Sequence, residues 1–302
     1  MKIYLNYCLI TILGTVLFLS SCDRVENPLV VRDTSLNWSL YPNSDTTTYP
    51  WPTWTANANT TLNVMLEDYT GHTCTNCPAA AVIAKNIEDS KAGKVTVVSV
   101  HGSTTSGFQL PEPPELPLDH RTEAGTEYAT AMGLTFNPAG MVNRNIYSSN
   151  YYTFDSEWSG YIDAELTNSP DFNIQVQFNH YPSTNGLFIH TEVEVLNAVS
   201  SDYNVIVMLV REQVEAPQKE TGGVINEDYE HHNVLSDNIN DTWGTPIITG
   251  GIGAGEKIYN NYTYQLPDPI SDTTYNVNNL SLVTVVSDRN TYQIKQVVKT
   301  EL

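Results

Sequence analysis

Apolar and polar positions recur with two different periods along the chain, and the change of period divides it. Residues 62–69 (LNVMLEDY) read as a strand closed by a Gly71-His72-Thr73 turn. From Cys74 to Ser90 the period becomes helical, with Ala79, Val82, Ile83 and Ile87 on one face. Residues 94–101 (KVTVVSVH) form the continuous apolar run of a buried strand. An irregular stretch from Gly102 to Arg121 follows, with Pro111, Pro113, Pro114 and Pro117. A helix over 123–132 ends at Gly133, and a turn containing Pro138 leads into a strand starting at Met141. A third helix spans 155–166, with Trp158, Ile162 and Leu166 as its apolar stripe and Asp155 as its N-cap.

Beyond Pro170 the period is two. Residues 172–179, 187–196, 203–211, 257–266, 280–287 and 292–299 are β-rich runs, separated by turn signals such as Ser183-Thr184-Asn185-Gly186. The pattern predicts an α/β domain over 61–169, followed by an all-β antiparallel, Ig-like sandwich over 170–302.

The N-terminus has a different logic. Lys2 is the only charge before Cys22, and residues 3–19 are mostly apolar, ending in Leu19-Ser20-Ser21-Cys22. A positive start, an apolar centre and small residues at its end predict a signal peptide over 1–21. The LSSC tetrapeptide resembles a bacterial lipobox, which implies lipidation of Cys22 and an anchor in the outer membrane. Residues 22–60, rich in Asn, Thr, Ser, Pro and Trp, then read as an extended tether.

Charge narrows the function classes. Of 302 residues, 34 are acidic and 14 basic, for a net charge of −20. Phosphate neutralisation needs clustered Lys and Arg, so a nucleic-acid partner is excluded. The membrane is reached through the lipid and not through a basic patch.

Cysteine usage supplies the candidate chemistry. Once Cys8 leaves with the signal and Cys22 takes lipid, Cys74 and Cys77 remain, spaced C-x-x-C. A disulfide closing so short a loop restricts the unfolded chain little, so stapling is a weak reason for it. A cysteine at a helix N-terminus meets unpaired amides and the helix dipole, which favour thiolate. Cys74 is then the attacking sulfur and Cys77 the resolving one. Asp68, at the end of the preceding strand, is placed to take the proton from Cys77. Three readings stay open: a redox pair, an inert structural disulfide, and a metal site for which His72 and His101 are candidate ligands. Neither a resident metal nor a cofactor is expected. Were the adjacent His231-His232 in a strand, they would point to opposite faces, which argues against a shared metal and suits a packed or surface role.

The strand, the C-x-x-C at a helix start and the later proline turn resemble a thioredoxin fold. That resemblance implies a buried proton-relay carboxylate at Asp68 and a cis-proline at Pro138 contacting substrate backbone. Thr73 stands where thioredoxins carry Trp, and proline follows the pair as Pro78. More narrowly, LEDYTGHTCTNCPAA, NPAGMVNR and the β-rich C-terminal half with EHHNVLSDN resemble the outer membrane protein 28-related lipoprotein family of Bacteroidetes. Its E-x-F/Y-T-G-x-x-C-x-x-C-P signature falls here on Glu67, Tyr69, Thr70, Gly71, Cys74, Cys77 and Pro78. The expected function is therefore a cell-envelope lipoprotein exchanging disulfides with protein thiols. The alternative is a non-catalytic surface or adhesin-type module, binding a surface ligand, in which the C-x-x-C is structural.

Overall fold

The computed structural model describes residues 36–302, apart from 44, 60, 92 and 103–106. The expected signal peptide and Cys22 lie outside the described residues. Among the described residues, no helix is long and apolar enough to cross a membrane.

Three strands and three helices build the first half. Strand β1 (Val64–Tyr69) pairs in parallel with β2 (Val95–Val100) and antiparallel with β3 (Ala139–Val142). Helix α1 (Cys77–Ser90) starts with Pro78 in its first turn, where a missing N–H costs nothing. It buries Ala80, Ala84 and Ile87, while Val82, expected on the apolar face, is 60% exposed. Helix α2 (Glu123–Ala131) is capped by Thr122, whose hydroxyl accepts from Gly125 N–H at 2.9 Å. Helix α3 (Asp155–Glu165) buries Trp158 and Ile162. Its N-cap is Phe154 and not Asp155, and the Glu157 carboxylate accepts from the Phe154 N–H at 3.0 Å.

The second half adds long strands. These are β4 (Phe172–Tyr181), β5 (Gly186–Val195), β6 (Tyr203–Glu215), β9 (Glu230–Asn238), β11 (Lys257–Gln265), β12 (Leu280–Asp288) and β13 (Ile294–Glu301). The short β7 (Gln218–Lys219) and β8 (Ile225–Asn226) form a hairpin, and β10 (Thr245–Ile248) pairs with β6.

The strand order corrects the expected fold class. An α/β thioredoxin-like domain followed by a separate all-β sandwich would put a boundary between the halves. Instead one mixed sheet runs β13-β12-β6-β9-β2-β1-β3, and only β11-β5-β4 form a second, three-stranded layer. The join is a parallel contact between β2 and β9, through Ser99 and Val234. A polar-looking strand, β9, covers the open edge of β2, so an edge that would otherwise demand protection becomes the sheet interior. One apolar core accordingly draws on both halves, with Met65, Val98 and Tyr128 packed with Met208, Leu235 and Val285. Residues Ser35–Leu302 form one compact unit.

The segment read as a tether lies on the protein along the part described. Trp38, Tyr41, Tyr49 and Trp51 pack with Tyr181 and Phe188. The Tyr49 hydroxyl meets His190 Nε2 at 2.7 Å, and Gln175 and Gln177 on β4 donate to the carbonyls of Thr55 and Thr53.

Candidate functional site

Alternation along a strand sends successive side chains to opposite faces of the sheet. On β1, Met65 and Tyr69 face the core shared by both halves, while Leu66 and Asp68 face α1. Asp68 sits opposite Ser99 of β2 in the register, and His101 extends the same face just past the strand end. The sheet thereby places Asp68 and His101 under the N-terminal turn of α1, where Cys77 is the first helical residue.

Cys74 and Cys77 are joined in a disulfide, with Cα atoms 5.4 Å apart. Cys74 lies in the turn before the helix and not in its first turn, as the sequence suggested. Both cysteines are buried, at 2% and 1% exposure. Two segments cover them. From one side, Phe108 O accepts from Thr73 N–H at 2.9 Å, and Leu110 O meets His72 Nε2 at 3.0 Å. A β-carbon on Gly71 would lie 2.5 Å from that Phe108 carbonyl, so the signature glycine is required by this close approach. From the other side, the β7–β8 hairpin docks on the turn. Gln218 Nε2 donates to Cys74 O at 3.1 Å, Lys219 N–H to His72 O at 2.8 Å, and the Thr221 hydroxyl to Thr75 O at 3.2 Å. Lys219 also pairs with Glu112, tying the two covers together at 3.0 Å.

A cavity of about 440 Å³ opens beside Cys77 and Pro78, with Asp68, His101, Tyr229 and His231 in its wall. Asp68 is 1% exposed, and neither carboxylate oxygen has a protein hydrogen-bond partner. Burial, with a smaller contribution from the charge of Asp155, pushes its pKa up to about 7. Pro138 follows a cis peptide bond at the start of β3, next to Ala139, which pairs with Tyr69. Asn137 holds that turn against β1 by donating to Tyr69 O at 2.7 Å. Of the residues assigned from sequence, Cys77 and Asp68 therefore share a cavity, while Pro138 stands at the end of the strand that pairs with β1.

Sequence reasoning singled out His72 and His101 but missed the group they belong to. Imidazoles from four separate segments converge: His72 lies 6.0 Å from His120 between ring centroids, His101 5.1 Å from His120, and His231 5.2 Å from His120 and 5.8 Å from His101. Burial, then the neighbouring cationic and imidazole groups, lower their pKa values, to about 4 for His120 and about 3 for His231. His101 is held well below its ordinary value for the same reasons. The cluster is thus neutral above mildly acidic pH. Among the described residues, no group of three or more His, Cys, Asp or Glu is arranged to hold a metal ion. Gln218 was missed as well, since a lone Gln between β-rich runs has no local signal. Behind the site, the signature residue Glu67 is buried and receives two 2.8 Å hydrogen bonds from Arg144, which also lies 3.9 Å over the Tyr128 ring.

Fold and site together define a predominantly β protein in which one mixed sheet supports a buried C-x-x-C disulfide at a helix start. Residues 125–302 match the family model of outer membrane protein Omp28, and the chain belongs to that family, which places it in the cell envelope. The matched region begins after Cys77, so membership does not itself assign a role to the cysteine pair. Among solved structures, HBP35 of Porphyromonas gingivalis is similar over 82% of this chain and 77% of its own, at 14% identity and TM-score 0.60. A protein of Agrobacterium tumefaciens aligns over 80% of this chain and 96% of its own, at 11% identity and TM-score 0.48. A domain of the outer membrane lipoprotein Omp28 from Porphyromonas gingivalis aligns over 44% of this chain and 88% of its own, at 20% identity and TM-score 0.31. No curated protein sequence matches the chain.

Proposed function

We propose that this protein exchanges thiols and disulfides with other envelope proteins through Cys74 and Cys77, anchored to the outer membrane by lipid on Cys22. The observation that carries the reading is the pairing of Cys77 with Asp68 on one cavity. A carboxyl with a pKa of about 7 both accepts and returns a proton near neutral pH. In one exchange a partner thiolate attacks Cys74 Sγ, the Cys74–Cys77 bond breaks, and Cys77 leaves as thiolate. Cys77 takes up a proton relayed through Asp68. A second partner thiolate then attacks the partner sulfur of the mixed disulfide and releases Cys74. Two electrons pass to the pair and the partner dithiol becomes a disulfide. Pro138 at the head of β3 is the residue that would align the partner's backbone.

A second reading is favoured by one specific observation, the 2% and 1% exposure of the two cysteines. In it the disulfide is structural, and the protein is a surface-binding module. A redox titration of the pair in thiol buffers separates the two. Exchange catalysts lie near about −270 to −120 mV, and structural disulfides of secreted proteins below about −300 mV. A potential in the upper range with rapid exchange supports the first reading. A very low potential without exchange overturns it in favour of the second.

A further inference from the structure

The surroundings of the disulfide have one sign of charge. The covering segment 107–121 holds three acids and the segment 215–230 holds five, against Arg121 and Lys219. Both cations are already in ion pairs, Arg121 with Asp119 at 2.6 Å and Lys219 with Glu112 at 3.0 Å. Asp228 and Glu230 are exposed at the wall of the cavity beside Cys77. Lys85, the one lysine on that wall, pairs with Asp89 at 3.0 Å. The imidazoles of His101 and His231 on the same wall are neutral, so they do not offset the acids, and the third histidine there, His232, lies 4.0 Å from Glu230.

A second observation, independent of the surface acids, lies deeper in the same cavity. Asp68 is buried there with both oxygens lacking a protein partner. A buried carboxylate without a countercharge is strongly disfavoured, and a cation entering the cavity would supply one. On the cavity wall, Val82 is 60% exposed, which gives apolar footing for the stem of a long cationic side chain.

We infer that the cavity beside Cys77 takes a Lys or Arg side chain flanking the reactive cysteine of a partner, so that the exchange substrates are cationic, cysteine-bearing polypeptides. The inference rests on the exchange reading above and adds the substrate class. Asp228 and Glu230 draw the basic side chain in, and the docked cation supplies the countercharge that buried Asp68 lacks once its proton has passed to Cys77.

The test uses the full-length oxidised protein and two blocked tripeptides, Arg-Cys-Arg and Glu-Cys-Glu, with released protein thiols followed by mass-shift alkylation. At low salt the basic peptide is expected to react about tenfold faster, a preference of the size that charge steering supplies. In about 0.5 M salt the preference should fall toward one, because screening then acts within a few ångströms. Neighbouring charges also change a peptide's own thiol acidity, so the decisive comparison is the double variant Asp228→Asn/Glu230→Gln. The inference expects the basic-to-acidic rate ratio to fall at least about threefold in that variant, with dithiothreitol, which attacks as a singly charged thiolate, reacting no more slowly than before. An unchanged ratio overturns this inference alone. Failure of both peptides to exchange, in protein that dithiothreitol does reduce, overturns the exchange reading and this inference with it.

Discussion

The side-chain amide of Gln218 donates to the backbone carbonyl of Cys74 at 3.1 Å, joining positions 144 residues apart in sequence. The same amide reaches Lys219 O at 2.8 Å and Gly71 O at 3.4 Å, so one side chain ties the β7–β8 hairpin to the turn that holds the disulfide. The hairpin is thereby one of the two segments held against the disulfide turn, beside the Phe108–Leu110 segment.

Gln218→Ala should make the disulfide easier to reach. Net contributions of about 1 kcal/mol per hydrogen bond predict a roughly five- to tenfold faster reduction by dithiothreitol. Thr221→Val, which removes one bond to Thr75 O, should give a smaller increase. Alkylation kinetics under native conditions check this. Unchanged rates in both variants would show that the hairpin does not control access.

Asp68→Asn tests the buried carboxyl. Its folded pKa of about 7 lies above the ordinary 3.8, so the folded state holds the proton more tightly than the unfolded state. Stability is unaffected below about pH 4, falls as pH rises from about 4 to about 7, and stays reduced above that. A shift of this size is worth on the order of 4 kcal/mol. Asp68→Asn should therefore raise the melting temperature at pH 8 and leave it nearly unchanged at pH 4. It should also remove the inflection near pH 7 from the exchange rate. A melting gain of equal size at both pH values would sink the assignment.

The histidine cluster predicts the opposite slope. The folded pKa values of His120 and His231, about 4 and about 3, lie below the ordinary 6.5. Their contribution is fully present above about pH 6.5 and is lost as pH falls toward 4 and 3. The groups facing them are His72, His101, His232, Arg211, Asp119 and Asp272. In an Asp68→Asn background, which removes the opposing titration of that carboxyl, urea unfolding between pH 7.5 and 4.5 should show falling stability toward acid. His231→Gln should flatten that fall, and an unaltered acid limb in His231→Gln would contradict it.

Glu67 and Arg144 form the buried ion pair behind the site, at 1% and 0% side-chain exposure. Removing one partner strands the other charge. Glu67→Gln should cost about 3–5 kcal/mol, and Arg144→Ala at least as much because the Tyr128 contact goes too. Chemical denaturation measures both, and a loss below about 1 kcal/mol in Glu67→Gln would show that the pair is not needed.

Local pattern was a sound guide wherever a segment satisfied its own backbone and showed a simple period. The helices at 77–90, 123–131 and 155–165 and the long strands β4, β5, β6, β11, β12 and β13 stand close to where periodicity put them. Strand β9 escaped notice because His231 and Asn233 occupy buried positions that alternation assigns to apolar residues. Asn233 is satisfied there only by distant groups, donating to Glu88 and accepting from Lys299. No local rule anticipates such partners, and without β9 the two halves read as separate domains.

By itself, then, the sequence determined the chemistry that local spacing controls: a disulfide between cysteines three residues apart, a carboxyl six residues before the first, and a proline turn ahead of β3. It also determined the acidic balance, a net charge of −20. Only the tertiary structure decided that β9 extends the sheet of β1 and β2, that four distant histidines share one buried cluster, and that Gln218 and Phe108 close over the disulfide. The reason is physical. Pairing of strand edges and burial of polar side chains depend on which groups, far apart in the chain, can satisfy one another's hydrogen bonds, and spacing along the sequence does not encode that choice.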